Sequence, residues 1–243
     1  PAAAQSWLSK PIRMIVPFAP GGAVDVAARV LQGPLAESLG QPIIVENRGG
    51  GATIPATEMI ARSAPDGHTL GYIISAHATN VALQEKLPYD PLKDFTPIAF
   101  IWRAPSGISV HPTVSAKTLA ELLALAKQKP GGISYGTPGN GTSMHIGMEL
   151  LTLLAGVEMT HIAYRGAGPA LSDAVGGQVP VIISNVATTA PHTRSGKLRT
   201  LAVTSARRSV LLPSVPTVAE QGFPGFDINE WDLLVGPARM PRE

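Results

Sequence analysis

Three stretches place glycines between a β-rich apolar run and the start of a helical one: Pro17-Phe-Ala-Pro-Gly-Gly22, Tyr135-Gly-Thr-Pro-Gly-Asn-Gly-Thr142 and Tyr164-Arg-Gly-Ala-Gly-Pro169. Glycine permits φ > 0 and leaves main-chain N–H groups unshielded by a side chain. The first N–H groups of a helix lack partners inside it and sit at the positive end of its dipole. Such a turn offers anion binding, and each helix end favours a carboxylate by about 0.3–1 kcal/mol, or up to about 2 kcal/mol when partly buried. Two of these turns facing each other would fix one carboxylate with little help from Arg or Lys. A single loop of this kind is equally well explained as a tight turn; three in one chain favour a site.

Other chemistries find less support. Gly139-Asn-Gly141-Thr-Ser143 lacks the third glycine of a dinucleotide fingerprint, and no G-x-x-x-x-G-K-[ST] occurs. No G-x-S-x-G elbow is present, and Ser143 with His145 is only a local pair at a helix start, so a Ser/His hydrolase or transferase stands as a runner-up. The six histidines, at 68, 77, 111, 145, 161 and 192, include no i, i+4 pair and no H-E-x-x-H, and there is no cysteine. No metal and no cofactor is therefore implied. Asp25 pairs with the first turn of its helix, caps backbone N–H groups or reaches a ligand, with capping favoured. Phe18, inside a Gly/Pro loop, either packs or walls a pocket.

The elements that must hold these loops follow from composition and periodicity. With 243 residues, 44% hydrophobic and 15% charged, the chain can bury a real core and is not disordered. A net charge of +2 without a Lys/Arg run argues against nucleic acid; Arg207 and Arg208, near Lys197 and Arg199, more simply cap a strand and loop. The longest apolar runs, such as Ile12 to Ala19 broken by Arg13 and Pro17, fall short of the roughly 20 residues of a membrane helix. The opening Pro1-Ala-Ala-Ala-Gln5 reads as the small-residue end of a secretory signal peptide.

Strands are predicted at 12–16, 43–46 and 69–74 with helices near 23–39 and 54–63, a βαβ pattern. A second series follows, with strands at 98–102, 107–110, 133–135, 159–163, 181–183 and 198–204. Helices near 119–127, 143–154 and 169–175 separate several of these, and the connections suit parallel strands. Around 103–106 one extended run passes into another without a helix, and a return is expected near 231–236. This predicts an α/β protein of two lobes, 1–102 plus 220–243 and 103–219. One continuous doubly wound sheet is the alternative.

At the glycine loops the chain resembles the Bug-type, TctC-like receptors of tripartite tricarboxylate transporters. The matching pieces are Pro17 to Gly22 with Asp25 and Ala28-Arg29, Val45-Glu-Asn-Arg-Gly-Gly-Gly51, Ala64-Pro-Asp-Gly-His-Thr-Leu70 and Tyr89-Asp-Pro91 with Asp94-Phe95. They continue with Tyr135 to Gly139, His145, Tyr164 to Ala170, Gly176 to Val179, Gly196 to Arg199 and Pro213 to Glu220, all in the family's order from about Pro11 to Pro237. The resemblance implies a two-lobed periplasmic binding protein of the Venus flytrap, type II-like class. Its ligand would lie in a cleft between the lobes, partly held through ordered water.

Carried over residue by residue, one loop comprises Phe18, Ala19, Pro20, Gly21 and Gly22 with Asp25. The opposed loop comprises Gly136, Thr137, Pro138, Gly139, Asn140, Gly141 and Thr142 with His145. The remaining wall would come from Ser75, Ala76, His77 and Asn80, from Tyr164 and Gly166, and from Ser184 and Asn185. The implied partners are a small carboxylate and the membrane permease subunits, with the receptor a monomer in the periplasm. A sensor adaptor serving a signalling protein is a further alternative. Receptors of this kind usually continue past Val235 to Pro241 with helices completing the first lobe, whereas this chain stops at Glu243.

Overall fold

The computed structural model describes residues 9–241, so the secretory-signal reading of Pro1 to Gln5 lies outside the described residues. The chain divides into two compact units. One holds residues 9–20, Val24–Trp102 and 232–241; the other holds Gly21–Ala23 and Arg103–Trp231.

In the first unit β1 (Ile12–Val16), β2 (Ile43–Asn47) and β3 (Thr69–Ile74) lie in the order β2-β1-β3. β1 runs parallel to both neighbours, with Ile12 opposite Ile43 and Met14 opposite Leu70. The helices α1 (Ala23–Leu39), α2 (Ile54–Ala61) and α3 (Ala76–Leu83) connect or follow these strands. β3 is buried at every position, as a parallel strand covered on both faces must be. Successive side chains feed two separate clusters. Ile12, Met14 and Val16 pack with Ala28, Tyr72 and Ile74, whereas Ile15 packs with Ile60, Ile73 and Val235.

The second unit is ordered β4-β7-β5-β6, with β8 also paired to β4. Its strands are β4 (Phe95–Val110), β5 (Ser134–Thr137), β6 (Thr160–Ala163), β7 (Val181–Asn185) and β8 (Arg199–Val203). Its helices are α4 (Leu119–Gln128), α5 (Ser143–Ala155), α6 (Ala167–Val175) and α7 (Val186–Arg194). Ile108, Leu122, Tyr135, Met148, Leu151 and Ile183 form its main core.

The chain passes from the first unit to the second within β4 and returns within β9 (Asn229–Pro237). The two strands predicted at 98–102 and 107–110 are one 16-residue strand. β5 is parallel to β6 and β7, as expected, but β4 is antiparallel to β7 and β8, and β9 is antiparallel to β3. Parallel pairing requires a crossover connection, and β4 is entered directly from the other unit, so nothing holds it to the parallel direction. Two helices carried no clear sequence signal: α3 is only eight residues long, and α7 contains three threonines and a proline.

Gly71 marks how closely α2 sits on β3. A Cβ at this position would lie 2.2 Å from Ile60 Cδ1, 2.6 Å from Ile60 Cγ1 and 3.2 Å from the Ile15 carbonyl oxygen. Gly71→Ala is expected to cost about 1–3 kcal/mol through overpacking, and Ile60→Ala about 2–5 kcal/mol through the cavity it leaves. Because the added methyl occupies the space Ile60 vacates, the double variant should be more stable than the sum of the single losses. Urea midpoints of the three variants measure this, and strict additivity would refute the steric account.

Candidate functional site

Each glycine loop is fixed by side chains of its own unit. In the first unit the segment after β1 buries Phe18, leaves Ala19 half-buried and exposes Pro20, and the next residue, Gly21, is exposed with φ of +89°. Asn47, the last residue of β2, donates through Nδ2 to the Phe18 carbonyl (3.0 Å) and to Asp25 Oδ1 (2.9 Å). Asp25 is 3% exposed and also accepts from Arg29 Nε through both oxygens at 3.1 Å. Through these bonds the Asp25 carboxylate ties β2 and the first turns of α1 together. Asn47 was not selected as a site residue, although it lies in the matching Val45-Glu-Asn-Arg piece.

In the second unit the loop from β5 to α5 is held by three clips. Thr137 Oγ1 accepts from Gly139 N–H (3.2 Å) and donates to the Gly139 carbonyl (3.3 Å). Thr142 caps α5, accepting from His145 N–H (3.3 Å) while its hydroxyl donates to the Gly139 carbonyl (2.8 Å). His145 Nδ1 accepts from Gly141 N–H (3.3 Å), which places the ring proton on Nε2. Gly139 and Gly141 have φ of +154° and +74°, and a Cβ on Gly139 would meet the Tyr164 carbonyl oxygen at 3.2 Å. Asn140 is exposed at the tip, and Gly136 and Pro138 are buried beneath it.

The helix α5 therefore begins directly after a loop in which two threonine hydroxyls engage the Gly139 carbonyl. Its first N–H groups, at Thr142, Ser143 and Met144, have no acceptor among the described residues. That is the arrangement a carboxylate requires.

The sequence model of the family described as "Tripartite tricarboxylate transporter family receptor", TctC, matches residues 27–243. The chain belongs to this family. It is 38% identical over 239 residues to protein BugT of Bordetella pertussis, covering 98% of this chain and 73% of that protein. A protein of R. palustris solved with adipate shares 34% identity at a TM-score of 0.92, with 97% of this chain and 79% of that chain covered. MatC from Rhodopseudomonas palustris, solved with bound malate, shares 34% identity at a TM-score of 0.91, with 96% and 80% covered. Other solved chains of this fold are a periplasmic transporter and a periplasmic binding protein. The protein is thus an α/β periplasmic receptor of the binding-protein type.

The other residues carried over to this TctC receptor lie on α3 or immediately before it, after β6 and at the end of β7, and three of their polar atoms, His77 Nδ1, Asn80 Oδ1 and Asn185 Nδ2, are buried without a hydrogen-bond partner among the described residues. Ser75 and Ala76 are buried at the start of α3, where the Ser75 carbonyl accepts from Ala78 and Thr79 N–H. His77 Nε2 lies 2.9 Å from the Pro91 carbonyl, and its ring stacks on Tyr89 and meets Phe95 edge-on. Burial lowers its pKa, so the ring is neutral at pH 7. Asn80 Nδ2 donates to the Ala52 carbonyl (2.8 Å), beside the left-handed residues Ala52 and Thr53.

Tyr164 donates its hydroxyl to Asp173 Oδ2 (2.8 Å), and burial together with that carboxylate pushes its pKa up to about 12. Gly166, with φ of +142°, opens α6. Ser184 is buried with its hydroxyl 3.4 Å from that of Thr188. Asn185 caps α7 through Oδ1 to Ala187 N–H (2.9 Å), leaving Nδ2 buried without a partner. Among the described residues no cluster of three His, Asp or Glu side chains could hold a metal, and no helix is long and apolar enough to cross a membrane.

The ring beneath the second loop makes stability depend on pH. His161 has its pKa pushed down to about 4, by burial first and by nearby His145 second, against an opposing contribution from Glu149. Unfolded histidine titrates near 6.5, so between about pH 6.5 and 4 the unfolded chain binds a proton that the folded chain refuses. The stabilisation is complete above about pH 6.5 and is lost as pH falls toward 4. A lower urea midpoint at pH 5 than at pH 7.5, flattened in His161→Gln, is the expected result.

Proposed function

We propose that this TctC receptor captures a small organic carboxylate and hands it, chemically unchanged, to membrane permease subunits. It does so as a monomer. The observation that carries the reading is the start of α5, where Gly139 and Gly141 take positive φ and two threonine hydroxyls occupy the Gly139 carbonyl, leaving helix N–H groups to the anion. The loop ending in Gly21 and Gly22 would supply the second set of donors. Adipate and malate in two similar proteins support a carboxylate as the ligand class, and Asn185 Nδ2 is a buried donor suited to a distal polar group.

The Ser143 hydroxyl donates to Glu230 Oε2 at 2.5 Å, and His145 Nδ1 is taken by Gly141 N–H. A nucleophile must lie within reach of its base, and these two are committed to other partners. That speaks for binding without turnover.

Calorimetry with malate, adipate and a set of related mono- and dicarboxylates tests the assignment. A dissociation constant near the micromolar level corresponds to about 8 kcal/mol. Gly139→Val and Gly21→Val should abolish measurable binding, since each forces a side chain onto left-handed backbone in a loop. Arg165→Ala, at an exposed position, should change affinity less than about threefold, as expected where backbone rather than side-chain charge holds the anion. Normal affinity in both glycine variants would overturn the site, and steady conversion of a bound carboxylate, followed by mass, would overturn the receptor role.

A further inference from the structure

His161 was not selected as a site residue, yet its ring touches both ends of the second loop. It lies on β6 directly opposite Tyr135 of β5. Its Nε2 is 2.7 Å from Thr137 Oγ1, the hydroxyl that clips both the N–H and the carbonyl of Gly139. Its face stacks on His145 with ring centroids 4.1 Å apart and an interplanar angle of 23°, and His145 in turn holds Gly141 N–H. The ring also stacks on Tyr135, with centroids 5.1 Å apart.

We infer that His161 is a positioning residue for anion capture, one imidazole that fixes the Gly139 end of the loop through Thr137 and the Gly141 end through His145. The inference rests on the assignment of this loop to the carboxylate, and adds the residue that sets its shape.

Two features support the role. With the single Thr137 hydroxyl proton on the Gly139 carbonyl, Oγ1 accepts from His161 Nε2–H, so loss of the ring removes the donor that orients this hydroxyl. The stack also requires neutral rings, since two imidazolium ions at this separation repel. The ionisable groups around His161 are His145 and Glu149 from α5 and Tyr135 from β5, whose hydroxyl donates to Glu149; β6 contributes no other. Burial and the neighbouring histidine keep His161 unprotonated at neutral pH, and burial does the same for His145.

Two variants of the full chain separate the hydrogen bond from the ring. His161→Phe keeps an aromatic face and loses the bond to Thr137; His161→Gln can restore a polar atom near the Nε2 position without the stack. Amide hydrogen exchange by NMR reads the loop with no ligand present. The Gly139 amide should exchange about tenfold faster in His161→Phe and within about threefold of the parent in His161→Gln. Affinity for malate or adipate should follow the same order, falling about tenfold and less than about threefold.

Unchanged Gly139 and Gly141 exchange in His161→Phe overturns the positioning role. So does faster exchange in His161→Phe that leaves affinity for a bound probe untouched. The parent chain carries the test without any substitution. Its Gly139 and Gly141 amide shifts should follow the titration of the two imidazoles, and shifts that stay flat through those titrations would overturn the role even if His161→Phe fails to fold. If neither probe binds the parent chain, the ligand assignment fails while exchange still decides whether His161 sets the loop.

Discussion

A helix that starts at the end of a buried parallel strand leaves N–H groups with no carbonyl to meet, and a protein that offers them to a ligand must hold the intervening loop still without filling it. Both glycine loops solve this in the same way. The strand paired in parallel with the loop's own strand supplies the clip. Asn47, opposite Val16, reaches from β2 to the Phe18 carbonyl, and His161, opposite Tyr135, reaches from β6 to Thr137. Parallel register decides which side chain arrives at the strand's end, so sheet pairing and site geometry are one constraint. The helices packed on β1 and β5 then fix the direction in which the N–H groups point.

This division explains which parts were legible beforehand. Glycine spacing after an apolar run is a local pattern, and it located both loops, the start of α5 and the short connections around them. The clips are non-local. Asn47 lies 29 residues from Phe18 and His161 lies 24 residues from Thr137, so no window of sequence joins them. The direction of β4 was hidden for a related reason: its antiparallel pairing with β7 and β8 depends on where the strand is entered, not on its own residues. Helix α7 was hidden by composition, since its threonines and Pro191 give a weak helical pattern that packing overrides.

His77 and Asn80 show how resemblance and structure bear on different questions. Resemblance points to them as part of a ligand wall. Their bonds within the first unit also hold backbone: His77 Nε2 meets the Pro91 carbonyl, and Asn80 Nδ2 meets the Ala52 carbonyl, while His77 Nδ1 and Asn80 Oδ1 are buried without a hydrogen-bond partner among the described residues. Ala52 and Thr53 are non-glycine residues at φ of +52° and +68°, a conformation that costs of order 1–3 kcal/mol and persists only where neighbours over-determine it. An asparagine nitrogen on the adjoining carbonyl is such a neighbour. A substitution at Asn80 would therefore act on the fold as well as on any ligand, and a loss of binding there would not by itself mark a contact.

The polar groups around α5 are also tied by hydrogen bonds, several of which hold the loop rigid. Ser143 gives its proton to Glu230, a carboxylate 3% exposed at the start of the helix, where the helix dipole favours negative charge. His145 spends its lone pair on Gly141, His161 pairs with Thr137, and the Tyr164 hydroxyl is held by Asp173. Freeing His145 Nδ1 or His161 Nε2 would cost a bond that shapes the loop. An anion held by backbone N–H groups asks nothing of those side chains except that they stay where they are.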